Sequence, residues 1–436
     1  MDHPPAAPEQ GADAPRSPGG LVAALKAHTF RSLRHRDYRL YFAGQLVSFT
    51  GSWVQNAALM WLVYHQTGDL RWPSYLLVAQ VGPTVLLGTW GGHLADRLPK
   101  RRLILLTQAA FLVNAVVLAV LAAAGWALPG LILGLQVLNG LVQAVDLPAR
   151  LAFVPDLVPR ADLINAVGLN SLLFNSARAV GPALAGLLFW AAADLAPGAD
   201  PVAAGAVGCF GLNAVSYVAV LFALRAIHQP GEPHPHRGGA SGWDGVRYLA
   251  AHPHLGGLVL LTLLLCVFAW PTLTLFPGYT RTVLGREETA YTSLVSGLGA
   301  GALVAALTTA TFGTAGRRGG FLLFGAGCAA GGILGLSLAG GLPVAVGWAG
   351  CAGFGLILFL STGQSTLQLA VPDDRRGRVM AVWAITLSAS APAGHLLAGQ
   401  AADLVGVVPV LWGMAAGVTA VAVGLAALAA GRGWNR

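Results

Sequence analysis

Apolar residues fill this chain in blocks of twenty or more, separated by short polar stretches. They do not alternate with polar positions at the period of a surface helix or strand. About 20 apolar residues is the length an α-helix needs to cross the hydrocarbon of a bilayer, where it satisfies its own backbone donors and acceptors. Twelve such segments can be drawn: 39–66, 74–95, 102–125, 130–150, 163–192, 202–227, 255–280, 289–312, 319–340, 342–366, 379–403 and 407–430. The longest internal interruption, His228 to His254, is rich in Pro, His and Gly and separates two sets of six. The expected architecture is an all-α polytopic membrane protein, with twelve transmembrane helices in two pseudo-symmetric six-helix bundles. Its parts would be a cytoplasmic N-terminal tail over 1–37, an N-terminal bundle over 38–227, a central cytoplasmic loop over 228–254 and a C-terminal bundle over 255–436.

Composition supports this reading. Only 10% of the 436 residues are charged and 55% are hydrophobic, where a soluble domain carries about 25% charged residues. The net charge of +8 would suit nucleic acid, but its distribution points elsewhere. With the N-terminus inside, all of the 26 Lys and Arg residues but four fall on the inner side; the exceptions are Arg71, Arg281 and Arg286 outside and Arg178 within the fifth span. That bias places both termini in the cytoplasm of a multi-pass protein of the cytoplasmic membrane and leaves no reason to expect nucleic-acid binding. The first twenty residues lack the apolar core of a signal peptide. Cys209, Cys266, Cys328 and Cys351 each sit in a different apolar run without paired spacing, as buried free thiols do.

The halves echo each other. Val154-Pro155-Asp156 recurs as Val371-Pro372-Asp373, and GPALAGLL in the fifth span as APAGHLLAG in the eleventh; repeated halves with a site between them are a transporter architecture. The charged loop GGHLADRLPKRR, Gly91 to Arg102, resembles the G-x-L-A-D-R-x-G-R-K signature of the major facilitator superfamily. FRSLRHRDYRLYFAGQLVSFTGSWVQNAALMWLVY, DLPARLAFVPDLV, NSARAVGPALAGLL and VPDDRRGRVM extend the likeness, from Phe30 onward, to prokaryotic drug and siderophore exporters of the enterobactin and macrolide efflux type. The resemblance implies a cytoplasmic gate of Gly92, Asp96, Arg97, Lys100, Arg101 and Asp146, in which Asp96 caps the eleventh span and Lys100 or Arg101 reaches Asp146. Two positions depart from the signature: Pro99 replaces the turn glycine, so that a fixed φ makes the turn, and Lys100 replaces an Arg. The R-x-x-Q-G of many antiporters is here Gln136-Val137-Leu138-Asn139-Gly140, without the Arg.

Several polar positions are candidates for chemistry. Gln136, Asn139, Gln143 and Asp146 share one face of the fourth span, as Gln45, Ser48, Ser52 and Gln55 do in the first, and Ser361, Gln364 or Ser365, and Gln368 in the tenth. Polar stripes avoid lipid; they either line a substrate cavity or hydrogen-bond helix to helix. Arg178, a lone intramembrane cation beside Ser171, Asn175 and Pro182, serves substrate or coupling, or else bonds carbonyls freed by Pro182. For proton exchange Asp146 is the first candidate and His395 the second, His395 equally being a packing residue. Trp53, Trp61, Trp270 and Trp383 would stack on a substrate or pack. His228, His234, His236, His252 and His254 are spaced as a solvated linker, with no metal-ligand pattern.

The expected function is a secondary active transporter that exports drug-like or siderophore-like amphiphilic small molecules by alternating access, in antiport with protons. A lipid or metal-ion transporter of the same fold is the alternative; an integral membrane enzyme is disfavoured by the lack of a catalytic or nucleotide-binding motif. Substrate contacts would come from Gln45, Ser48, Trp53, Gln55, Gln136, Asn139, Gln143, Asn175, Arg178 and Trp383. The chain would need no cofactor beyond an ion gradient, and would act as a monomer in the lipid bilayer.

Overall fold

The computed structural model describes residues 30–195, 200–232, 242–312 and 318–431, and all regular structure within them is helical. The helices are α1 (Arg36–Thr67), α2 (Arg71–Arg97), α3 (Lys100–Ala123), α4 (Pro129–Leu157), α5 (Leu163–Leu195), α6 (Pro201–Ala226), α7 (Gly242–Ala251), α8 (Pro253–Ala269), α9 (Thr272–Thr282), α10 (Glu288–Phe312), α11 (Arg318–Ser337), α12 (Leu342–Ala370), α13 (Asp373–Val405) and α14 (Val407–Gly431). Short 3-10 turns occupy Arg31–Arg34 and Arg160–Asp162. Each expected span has its helix, but among the described residues ten helical segments, not twelve, are long and apolar enough to cross a membrane. The other two, α1 and α2, run for 32 and 27 residues; Gln45, Ser48, Ser52, Gln55 and Asn56 dilute the first, and Gly, Pro, Ser and Thr the second.

The seventh span, expected to be one helix over 255–280, is broken. α8 ends at Ala269, α9 starts at Thr272, and Trp270-Pro271 form the break. Pro271 has no N–H for the carbonyl of Val267, and its ring crowds that carbonyl. Gly394 of α13 lies against Val267 and the Pro271 ring, where a side chain would not fit.

Boundaries moved at two other places. α4 runs past the expected end at 150 to Leu157, carrying Arg150 inside the helix at 7% exposure; Arg150 is not the loop cation that the charge distribution made of it. The segment before α1, expected as tail to residue 37, is folded from Arg31 on. Arg31 and His35 both hold Asp162, Ser32 N donates to Asn165 Oδ1 at 2.9 Å, and the Ser32 hydroxyl donates to the Asp162 carbonyl at 3.0 Å. The hydrogen bond from His35 and the bond and charge of Arg31 hold the Asp162 carboxyl below the usual carboxylate range, against the burial that would raise it. Residues 1–29 of the expected tail, and His234 and His236 of the linker, lie outside the described residues. Part of the remaining linker is helical: α7 packs on α13, with Asp244 3.3 Å from Arg378.

In the first half α1 packs on α5 and α6, α2 on α4, and α3 on α4 and α6; in the second, α12 packs on α10 and α11, α14 on α8 and α11, and α13 on α8. The halves meet along two helix pairs, α5 with α10 and α2 with α13. Small residues allow the approach, as membrane helices require: Gly299 of α10 lies on the backbone of Arg178 and Ala179, and Gly399 of α13 on Ser74. Two further contacts cross between halves. Arg71 spans Asp69 at 2.6 Å and Asp403 at 3.4 Å, and Trp61 stacks on Tyr291 with ring centroids 5.5 Å apart.

Candidate functional site

The polar face of α4 continues one step beyond what the sequence suggested. Arg150 follows Asp146 by four residues, so the two side chains meet on one face of the helix, and they form an ion pair. Asp146 is fully buried. Thr107 and Gln108 of α3 donate to its Oδ1 at 2.6 and 3.1 Å. Arg150 in turn donates to Gln45 Oε1 of α1 at 2.7 Å, with its guanidinium 4.7 Å from the centroid of the Phe49 ring. Ser48, one turn from Gln45, donates to Gln108 Oε1 at 3.3 Å and closes the ring. One carboxylate, one guanidinium and four neutral polar side chains thus tie α1, α3 and α4 together in the interior. Arg150, Thr107 and Gln108 were missed in the sequence; the four-residue step from Asp146 to Arg150 was the available signal.

The rest of the α1 stripe hydrogen-bonds to α6. Ser52 Oγ lies 3.1 Å from the Tyr217 hydroxyl, and Asn213 donates to Gln55 Oε1 at 2.8 Å. Helix-to-helix bonding, left open beside cavity lining, describes these two. On α4, Gln136 and Asn139 are buried and Gln143 partly so; among the described residues Gln136 Nε2 has no hydrogen-bond partner. In α12, Ser365 turns back to the Ser361 carbonyl at 2.7 Å, while Gln364 and Gln368 are exposed.

Arg178 lies at the middle of α5 and is 3% exposed. Its guanidinium is 5.6 Å from the ring centroid of Trp53 on α1 and 5.2 Å from that of Trp270. Local structure accounts for both indoles. Gly181, one turn on, leaves the room that Trp53 fills, and the break at Pro271 places Trp270 at the seam between α8 and α9. The carbonyl that Pro182 leaves unbonded is that of Arg178 itself, covered by Gly299, so the side chain is not engaged in repairing the helix. Among the described residues Arg178 Nε is buried without a hydrogen-bond partner, and Trp270 Nε1 is buried with only the Cys266 thiol of the preceding turn as partner. Asn175 is buried one turn away.

The charged loop departs from what the signature implied. Lys100 and Arg101 do not reach Asp146. Asp146 stands level with Thr107, about 10 Å further along α3 than Lys100 at 1.5 Å per residue. Lys100 instead holds Asp156 at 2.8 Å and the Glu232 carbonyl at 2.9 Å, and Arg101 holds the carbonyls of Leu224 and Arg225 at 2.8 and 2.7 Å. Both cations thereby strap the start of the linker and the end of α6 to the start of α3. Pro99 makes the turn with φ −57°. Of the two glycines it is Gly91, not Gly92, that packing requires: a Cβ there would overlap the Ala144 carbonyl of α4, whereas one on Gly92 would meet nothing. Asp96 lies in the last turn of α2, and Arg97 is exposed. His395 is buried with Nδ1 2.6 Å from the Thr274 hydroxyl, and Trp383 is buried against Gly363, so in this conformation both pack within the second half.

Comparison with known proteins agrees with the fold. A family model described as transmembrane secretion effector matches residues 27–431. The staphyloferrin A transporter of Staphylococcus aureus is 32% identical over 152 residues, 34% of this chain and 38% of that protein, so the match spans well under half of its length. The enterobactin exporter EntS of Shigella boydii serotype 18 is 27% identical over 381 residues, 84% of this chain and 86% of the exporter. A bacterial homologue of the iron transporter ferroportin, in its inward-facing state, superposes with a TM-score of 0.67 over 90% of this chain and 98% of its own, at 19% identity; it shares the fold.

Proposed function

Since the chain belongs to the transmembrane secretion effector family of major facilitator transporters, we propose that this multi-pass membrane protein is a proton-driven exporter of siderophore-like or drug-like amphiphiles. It works by alternating access between two bundles of six spans, with both termini on the cytoplasmic side of the cytoplasmic membrane. Similarity to an enterobactin exporter over 84% of this chain, and to a staphyloferrin A transporter over 34% of it, supports the substrate class and the direction.

The observation that carries the coupling is the buried Asp146–Arg150 pair inside a ring joining α1, α3 and α4. There the carboxylate, removed from water, faces one guanidinium and accepts hydrogen bonds from Thr107 and Gln108. Protonation of Asp146 cancels the charge that Arg150 faces, leaving a buried cation without its counterion, a state that costs several kcal/mol unless the helices rearrange. The same proton therefore breaks the link from α4 to α1 and α3, which is how binding at one group is turned into movement of helices.

The test is transport in proteoliposomes, with enterobactin and staphyloferrin A as substrates and a pH gradient as the drive. Asp146→Asn, fixed in the uncharged form, should lose gradient-driven accumulation yet retain exchange of labelled for unlabelled substrate. Gradient-driven transport at the wild-type rate in that variant would remove Asp146 from the mechanism.

A further inference from the structure

The described residues contain two deeply buried arginines in the first half, and only one of them has a carboxylate. Arg150 has Asp146. Arg178 has no acid within ion-pairing distance, and its neighbours are two indoles drawn from different halves of the chain. An arginine keeps its charge at any physiological pH, so this cation cannot escape burial by releasing a proton. Its Nε and the nearby Trp270 Nε1 are both donors shielded from solvent; among the described residues the first has no partner and the second has only the Cys266 thiol, a weak acceptor. A site of this kind lacks acceptors, and it repels cations.

Resting on the exporter reading, we propose that Arg178 and Trp270 bind the carboxylate of the transported molecule, so that the substrate is an anionic amphiphile. The flat two-oxygen anion matches the fork of a guanidinium, the indole N–H adds a further donor, and the rings of Trp53 and Trp270 receive the apolar body next to the charge. Trp270 stands at the break of the seventh span, and interrupted helices of this kind form the ion and substrate sites of many transporters. With Trp53 on α1 and Trp270 in the second half, one bound anion touches both halves.

Equilibrium binding to the purified full chain in detergent, read by calorimetry and thermal shift, tests this with three probes that share a body and differ in charge: phenylbutyrate, phenylbutyramide and phenylbutylamine. Phenylbutyrate should bind more tightly than the amide by about tenfold or more, the loss expected when charged hydrogen bonds are removed, and the amine should bind most weakly. Arg178→Gln should level the three probes, and Arg178→Lys should keep the order at reduced affinity. Trp270→Phe, which retains the ring and loses the donor, should weaken phenylbutyrate several-fold and the amide, a neutral acceptor, by less; if Arg178→Gln does not fold, this variant decides. No binding of phenylbutyrate, equal affinity for the amine, or a preference that survives Arg178→Gln or is untouched by Trp270→Phe would overturn the proposal. Since binding needs no gradient, a normal probe order in a protein that fails the proteoliposome assay would count against the exporter reading and not against the anion site.

Discussion

Arg150 and Arg178 stand on successive helices, 7% and 3% exposed, and are held in opposite ways. Arg150 is enclosed by partners of this chain: a carboxylate four residues away, a glutamine from α1 and the ring of Phe49. Among the described residues Arg178 has two indole rings and no carboxylate. Both guanidinium Nε atoms are buried without a hydrogen-bond partner among the described residues, so the difference lies in the counterion: a buried charge that has one belongs to the resting structure, and a buried charge that has none offers a place for an anion. Under the proposed mechanism the first pair serves coupling and the second cation serves cargo. The contrast can be broken most sharply at Arg150. Arg150→Met leaves Asp146 buried without its counterion and should cost about 3–5 kcal/mol in chemical unfolding of the detergent-solubilised protein. Adding Asp146→Leu should recover most of that loss, since replacing a whole buried pair by apolar residues is close to neutral. If the double variant is as unstable as the single, the pair is not the origin of the cost.

Thr107 refines the same point. Its hydroxyl donates to Asp146 from α3 at 2.6 Å, and a hydrogen bond to a charged acceptor contributes about 1.5–3 kcal/mol. Thr107→Val keeps the shape and removes the bond, so it should lower stability within that range while leaving the affinity of phenylbutyrate for the Arg178 site unchanged. A shift in both quantities would mean that the two arginines belong to one network.

The two arginines also differ in how far the sequence revealed them. Arg178 stood out because no other cation lies in the middle of an apolar run. Arg150 was hidden by its position: a span drawn to end at residue 150 turns a terminal arginine into a loop cation, although Asp146 four residues earlier already indicated a pair. The long helices were legible, because lipid demands long, mostly apolar runs, whereas α7, inside the stretch expected as a linker, was not. The break at Trp270-Pro271 was not, since the segment stays apolar across it and only the approach of Gly394 shows what covers the freed backbone. The α1 stripe was legible as a face but not in its role, because its partners Gln108, Asn213 and Tyr217 come from helices remote in sequence. The loop signature was legible as a family mark, but its geometry was not: Lys100, at the start of α3, stops about 10 Å short of Asp146.

Gly91 separates packing from gating near the paired site. It lies on the Ala144 carbonyl, two residues before Asp146. Gly91→Ala should force α2 and α4 apart, cost about 1–3 kcal/mol as overpacking does, and lower gradient-driven transport through the displaced ring. Gly92→Ala, with open space around it, should leave unfolding within about 0.5 kcal/mol of wild type. Equal losses for the two would show that the glycines act through backbone freedom and not through the contact with α4.

The smallest effect on stability is expected at Arg178, the other term of the comparison. Its contacts with two indole faces favour the fold by about 0.5–2 kcal/mol each, while the removal of a guanidinium from water without a counterion opposes them with a similar or larger cost. Arg178→Met keeps the length and the packing and removes both contributions. Unfolding of the ligand-free variant should therefore lie within about 1 kcal/mol of wild type or above it, measured beside Arg150→Met under identical conditions. Added phenylbutyrate should stabilise the wild type and not the variant, because a ligand raises stability only where it binds the folded state. A loss as large as that of Arg150→Met would place Arg178 among the groups that hold the fold and remove the reason for assigning it to cargo.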